Sequence, residues 1–314
     1  MESKNITVLR CLSMQILNIP IDQNQMETTS HGSFSFPIAV YQQILAKNVL
    51  GYINWHWHEE IQFCCVTRGS VTFYVNEQEY LLREGEGIFV NSGYLHMSRP
   101  AGGPESTYLC LDVNPRLLSS YSGSVFDRVY VAPYLKDPDL AHVLLTPAIP
   151  WQGEVLSLVS EVYRLHEAGA FGYEWEITAR LGRMWCLLLE HRAEGGRGGS
   201  GQRLHSNAAA QAILSYLHQH YGERITLEEI AKSVSFSPSE CCRLFKRVTG
   251  QTIFSYLQSY RLAHSAQLLR HGALSVSQIA YESGFCSTSY FIEVFKRSFG
   301  VTPHQFRKSA PGRN

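Results

Sequence analysis

Along the second half of the chain, apolar residues recur with the period of an amphipathic helix. In TLEEIAKSV (226–234), Leu227, Ile230, Ala231 and Val234 fall at i, i+3, i+4 and i+7, and Thr226 with Glu229 makes a capping box. Ser237 as N-cap and Pro238 at the first helical position open a second helix. There Cys241, Leu244, Phe245 and Val248 repeat the stripe until Gly250 stops it. Two short helices joined by a tight turn outline a helix-turn-helix. The pattern then returns about 50 residues later. Ile279 and Ala280 match Ile230 and Ala231, Phe285 matches Phe236, Phe295-Lys296-Arg297 matches Phe245-Lys246-Arg247, and Gly300 matches Gly250. Ser275 and Gln278 form a further capping box, and Gly284 falls where the second copy's short helix must end. Between the copies, residues 254–271 hold neither Gly nor Pro, which predicts one continuous helix. At ~1.5 Å per residue it is about 27 Å long, enough to hold two reading helices roughly one DNA turn (~34 Å) apart.

The first half has a different period. From about residue 50 to 113, short β-type runs (IQFCCV, VTFYV, EGIFV, STYLCLDV) are separated by turn signals at Arg68-Gly69, Asn76-Glu77, Arg83-Glu84-Gly85 and Asn91-Ser92-Gly93. Many short strands at even spacing predict a closed or sandwiched sheet. Residues 152–168 and 174–192 then read as two amphipathic helices. Val155, Leu158, Val159 and Val162 form one stripe; Ile177, Leu181, Met184, Trp185, Leu188 and Leu189 form the other. The pair covers apolar surface, either within the chain or at a homodimer contact.

Charge separates the two halves. Five glycines within seven positions mark residues 193–206 as a linker between a domain at 1–192 and another at 207–314. Through residue 206 there are 15 Lys and Arg against 21 Asp and Glu, a net of −6; the remainder has 12 against 6, a net of +6. A compact basic domain tied to an acidic one fits a nucleic-acid binder with a regulatory partner. No apolar stretch approaches the ~18 residues of a membrane span, so no membrane partner is expected. Eight cysteines without a C-x-x-C pair, including Cys11, behind a start (MESKNITVLR) that lacks signal-peptide order, predict reduced thiols in the cytoplasm. No Walker, Rossmann or nucleophile-elbow motif is present, which narrows the enzymatic options.

The double helix-turn-helix, the Arg261-Leu262-Ala263 to Leu268-Leu269 helix and the closing GFCSTSYFIEVFKRSFGVTPHQFR resemble the AraC/XylS family of bacterial transcriptional regulators. The resemblance covers about 100 residues. It implies promoter DNA as partner, with the second helix of each unit in the major groove, and RNA polymerase as a further partner of an activator. Upstream, Gly51, His56-x-His58, Gln62 and Gly69 resemble the first cupin motif, and Gly85, Gly93 and His96 the second. The fold expected is α+β in two domains: a cupin-like β-barrel with two packing or dimerisation helices, then an all-α double helix-turn-helix.

Subtracting the inward stripe of the first reading helix leaves Ser239, Glu240, Cys242, Arg243, Lys246 and Arg247 outside. By resemblance, Ser239, Cys242 and Arg243 match base-reading positions, Arg243 being suited to a bidentate contact with guanine. Glu240 is either a reader or the third residue of a capping box with Ser237. On the second reading helix the equivalents are Thr288, Ser289, Ile292 and Glu293. Ser237, Lys246, Arg247, Ser287, Lys296 and Arg297 are candidates for the DNA backbone, or solvated residues. In the barrel, His56, His58 and His96 with Trp55, Trp57, Tyr94 and Gln62 form the expected pocket of a small-molecule effector, or else fill the barrel. No resident metal or other cofactor is expected, because Gln62 stands where a metal-binding cupin usually has Glu. The alternatives are a metal-dependent cupin dioxygenase or isomerase, and a regulator without a small-molecule ligand.

Overall fold

Nine antiparallel strands build the N-terminal half of the computed structural model, which describes residues 32–103, 105–135, 137–192, 202–271 and 274–309. Cys11 and residues 193–201 of the glycine-rich segment lie outside the described residues. The strands are β1 (Ile38–Ile44), β2 (Ile53–His56), β3 (Ile61–Arg68), β4 (Ser70–Val75), β5 (Gln78–Arg83), β6 (Gly87–Val90), β7 (His96–Pro100), β8 (Thr107–Val113) and β9 (His142–Leu145). They form a five-stranded sheet in the order β1-β8-β3-β6-β9 and a four-stranded sheet in the order β2-β7-β4-β5. β1 and β9 fall outside the stretch of 50–113 where turn signals mark the strands. β1 follows Pro37 and carries two glutamines, and β9 is only the four residues HVLL, so neither shows alternation.

The apolar runs of β3 and β8, interrupted only by Gln62 between Ile61 and Val66 and by Asp112 between Tyr108 and Val113, reflect burial of both sheet faces. Ile61, Phe63, Cys65, Leu109, Leu111 and Val113 face outward onto helices; Cys64, Val66, Tyr108 and Cys110 face the interior between the sheets. Cys64 and Cys110 are direct partners across the β3–β8 ladder, with their sulfurs 3.5 Å apart, and all seven described cysteines are free. The short helices α1 (Arg116–Ser119) and α2 (Ala132–Leu135) flank a π-helical turn at Phe126–Val131. Then come α3 (Pro150–Ala168) and α4 (Tyr173–Glu190). Val155, Val159, Val162, Ile177, Leu181, Met184, Trp185 and Leu188 of the expected stripes are buried against the five-stranded sheet, Leu158 and Leu189 are only partly buried, and Leu156, outside the expected stripe, is buried with them. At ~1.5–3 kcal/mol for each large side chain removed from water, this face is a main stabilising contact of the half. Gly87 lies where β6 passes under α3; a side chain there would run into the Cys64 carbonyl and Leu156.

The C-terminal half is helical: α5 (Gln202–Gln219), α6 (Leu227–Ser233), α7 (Pro238–Thr249), α8 (Ile253–His271), α9 (Val276–Glu282), α10 (Thr288–Phe299) and α11 (Pro303–Ser309). α5 begins inside the segment expected to be linker. Capping boxes form at Thr226/Glu229, Ser237/Glu240 and Ser275/Gln278, and Gly250 and Gly300 take left-handed conformations after α7 and α10. Ile253 and Tyr256 of α8 join the core of the first unit, with Ile230, Phe245 and Val248. Further along the same helix, Leu262, Ala266 and Leu269 join the second, with Ile279, Phe291 and Phe295. Gly284 is held at positive φ between the Tyr221 carbonyl and Arg261, space no side chain could share.

The layers therefore stack in a defined order. The α3–α4 pair lies on the five-stranded sheet, the interior follows, then the four-stranded sheet, and α5 together with α7 of the first helix-turn-helix covers that sheet's outer face. No helix among the described residues is long and apolar enough to cross a membrane.

Candidate functional site

On α7, Ser239, Glu240, Cys242, Arg243, Lys246 and Arg247 are all exposed, while Cys241, Phe245 and Val248 are buried. Both readings of Glu240 bear on one side chain. Its Oε2 accepts from the Ser237 backbone N–H at 3.1 Å and from the Ser237 hydroxyl at 2.6 Å, so it is engaged in capping the helix. Those bonds hold its carboxyl below the usual carboxylate range. On α10, Ser289, Glu293, Lys296 and Arg297 are exposed; Thr288 and Ile292 are half-buried, and Ile292 packs against the core of the second unit. Ser287 caps α10 by accepting from the Tyr290 N–H at 3.2 Å. Arg247 does not point freely into solvent. Its Nε donates to Glu77 Oε1 at 3.0 Å, and an Nη donates to Ser206 Oγ at 3.2 Å.

Inside the barrel, His56, His58 and His96 come together. One ring nitrogen of each lies within 4.8 Å of the others, all three residues are buried, and His56 and His96 are register partners on β2 and β7. The pairing is irregular: Ile53 opposes Ser98 and His56 opposes His96, three steps on β2 against two on β7. This bulge turns both Ile53 and His56 toward the interior and leaves Trp55 on the outer face. Each imidazole is oriented by a backbone carbonyl at Nδ1: Asn54 for His56 (2.8 Å), Glu60 for His58 (3.1 Å) and Tyr94 for His96 (2.8 Å). Those bonds leave the Nε2 atoms to face inward. Burial is the main cause that holds His56 well below the ordinary imidazole value, with the neighbouring His96 and His58 adding to it, and burial also lowers His96. Gln62 Nε2 donates to Asp112 Oδ1 at 2.9 Å, and Tyr41 donates to Asp112 Oδ2 at 2.6 Å. Asp112 Oδ1 lies 4.0 Å from His58 Nε2. His96 Nε2 and Gln62 Oε1 are buried without a hydrogen-bond partner.

The cavity beside these groups, lined by Tyr41, Gln43, His56, Gln62, His96 and Ser98, has a volume of about 10 Å³. That is room for about one water. A roomier cleft of about 370 Å³ lies in the helical half, between Phe254, Leu257, Arg261, Tyr281 and Phe285. Of the residues expected around an effector, His56, Gln62 and His96 line the cavity and His58 adjoins it. Tyr94 packs in the interior cluster. Trp55 and Trp57 belong instead to the core shared with the helical half.

Sequence reasoning did not single out Asp112, Asn207 or Gln211, and it assigned Trp55 to the effector pocket rather than to the contact between the halves. Trp55 Nε1 donates to the Thr249 carbonyl at 3.2 Å. Asn207 accepts from the Leu95 N–H (3.1 Å) and donates to the Gly93 carbonyl (3.0 Å), where Gln211 also donates (2.9 Å). Trp55, Leu95 and Met97 are 1%, 0% and 2% exposed, against Ala210, Ile213, Leu214 and Leu217 of α5. An exposed-side aromatic on a strand beside a histidine run is the one signal in the sequence for this seat.

Residues 47–146 match the AraC-like ligand binding domain, and residues 230–309 match a helix-turn-helix domain. The chain is 38% identical over 294 residues to a helix-turn-helix-type transcriptional regulator, YdeC, of Bacillus subtilis strain 168, covering 93% of this chain and 98% of that one. It is 33% identical over 100 residues to the transcriptional activator RhaS of Escherichia coli strain SE11, covering 32% of this chain and 36% of that one. Among solved structures, ToxT from Vibrio cholerae O395 aligns over 90% of this chain and 100% of its own at 15% identity, with a TM-score of 0.44.

Proposed function

Because the chain belongs to the AraC family of helix-turn-helix transcriptional regulators, with a ligand-binding domain ahead of the DNA-binding one, we propose that its promoter binding is controlled by a small ligand taken up between the two sheets. The observation that carries this reading is the alternation on β2 and β7. His56 and His96 face the interior, and Trp55, Leu95 and Met97, next to them in the chain, seat the first helix-turn-helix. A ligand that shifts either strand by a fraction of an ångström alters the surface on which α5 and α7 rest. The effector pocket is the group His56, His58, Gln62 and His96, and its small volume favours a small occupant.

In this reading α7 reads bases through Ser239, Cys242 and Arg243, with Lys246 and Arg247 on phosphates. α10 adds Thr288, Ser289 and Glu293, with Ser287, Lys296 and Arg297 on the backbone. The chain acts in the cytoplasm as a homodimer joined through α3 and α4, where Phe171 of the connecting turn and Trp175 of the first turn of α4 stand exposed, and recruits RNA polymerase. Fluorescence anisotropy of the full chain with genomic fragments selected by the purified protein tests the core of the reading. Binding that weakens steeply between ~50 and ~200 mM salt is expected from displaced phosphate counterions; salt-insensitive binding, or none, would overturn it.

A further inference from the structure

We propose that the barrel interior binds one divalent transition-metal ion through the Nε2 atoms of His56, His58 and His96, with Asp112 and Gln62 at its side, and that this ion is the ligand sensed by the DNA-binding half. The second part rests on the reading given above; the first stands without it.

Three features lead here. Each imidazole has its Nδ1 on a backbone carbonyl, the arrangement that fixes the tautomer and aims the Nε2 lone pair inward at a metal. The three rings thus converge on one buried space, where His58 Nε2 meets the Gln62 amide at 3.5 Å and a sugar or other organic effector has no room. His96 Nε2 and Gln62 Oε1, both buried, have no hydrogen-bond partner; a bound ion gives each of them one.

Gln62 replaces an anionic ligand by a neutral amide, and from the sequence alone that argues against a metal. The structure supplies the missing charge from another strand. Asp112 on β8 is fully buried, receives the Gln62 amide on one oxygen and the Tyr41 hydroxyl on the other, and stands 4.0 Å from His58 Nε2. Three imidazoles and a carboxylate make a donor set suited to zinc, nickel or cobalt(II).

The site also has a means of transmitting its occupancy. Tetrahedral ligation at 2.0–2.1 Å from each nitrogen requires nitrogens about 3.4 Å apart; here one nitrogen of each ring lies within 4.8 Å of the others, and the His56 and His58 rings are the furthest apart, 5.8 Å between centroids. Loading therefore draws the His58 ring in toward His56 on β2 and His96 on β7, whose own rings already lie 4.2 Å apart at their centroids. The residues that move with His56 and His96 are Trp55, Leu95 and Met97, the floor under α5 and α7.

The test uses the full chain, stripped with a chelator and titrated with cobalt(II), followed by its visible ligand-field absorption and by zinc competition. One ion per chain is expected at micromolar protein, with His96→Ala weakening binding at least ~100-fold and Asp112→Asn ~10- to 100-fold. A wild-type chain that takes up neither cobalt nor zinc overturns the site, and this holds whether or not the variants fold. Uptake unchanged in a folded His96→Ala chain overturns it equally. Anisotropy on a selected genomic fragment then decides the sensing: a change in Kd of about 5-fold or more on adding zinc supports it, and an unchanged Kd overturns it. A chain that binds metal but no DNA in either state would refute the regulator reading instead, with the metal site upheld.

Discussion

Glu77, at the tip of the β4–β5 hairpin, accepts a hydrogen bond from Arg247 of the first reading helix at 3.0 Å. The N-terminal half thereby neutralises one of the charges expected to face DNA phosphates. Both side chains keep substantial solvent contact, 52% for Arg247 and 30% for Glu77, so the pair is worth ~0.2–1 kcal/mol. Glu77→Gln is expected to tighten DNA binding by about 1.5- to 5-fold at low salt, an advantage that fades as salt screens it. Anisotropy titrations of the two full chains at two ionic strengths check this.

Arg243 is exposed on the outer face of α7 and has the fork geometry that recognises guanine. Arg243→Ala should cost ~1–3 kcal/mol on the preferred site and leave non-specific binding nearly unchanged. The comparison is between a selected fragment and a scrambled one; equal loss on both would make Arg243 a phosphate contact.

The second unit presents Glu293 where the first presents Arg243, and its Ile292 is half-buried against the unit's own core. A carboxylate facing DNA repels phosphates and accepts only from donors such as the cytosine amino group. Glu293→Gln is therefore expected to tighten binding across sequences. Base changes under α7 should cost more, at ~1–3 kcal/mol each, than changes one turn away under α10. A mutated-operator series measures both; weakening confined to sites with one particular cytosine would make Glu293 a reader.

His218 is buried in α5, bonded through Nε2 to the Tyr256 hydroxyl at 2.9 Å, and burial holds it well below the ordinary imidazole value. The folded chain keeps it neutral while the unfolded chain takes up a proton below about pH 6.5. The unfolded state then binds more protons, so this contribution is intact above that pH and is lost as pH falls through it. Urea denaturation at pH 7.5 and 5.5 should show lower stability in acid, with a smaller difference in His218→Gln.

The helical half was legible because its signals are local. The stripes of α6, α7, α9 and α10, their capping boxes and their closing glycines all lie within a dozen residues of one another. The barrel was legible in class but not in wiring. The bulge between Ile53 and His56 has no sequence mark, and without it alternation along β2 cannot say which of Trp55 and His56 faces inward. Asp112 sits in the apolar run STYLCLDV, where it reads as a strand-end residue; only the β3–β8 register sets it beside Gln62. Trp55 and Trp57 carry the composition of a ligand pocket, yet packing against α5 and α7 claims them.

The α8 helix, whose two ends belong to the cores of different units, acts as a rigid ruler with an angular scale as well as a linear one. Each residue along it turns the chain by about 100° and advances it 1.5 Å. A single insertion or deletion between Tyr256 and Leu262 would swing α10 about a quarter turn around the axis of α8, off the face it shares with α7, while hardly changing its reach. A base pair added to or removed from an operator rotates the second half-site by about 35° about the duplex and shifts it 3.4 Å, so a turn of that size takes about three base pairs, which also move the half-site about 10 Å along the axis. The length of α8 therefore constrains the operators this chain can accept, and homologues that share its reading residues but differ in this helix by one residue are expected to occupy different promoters.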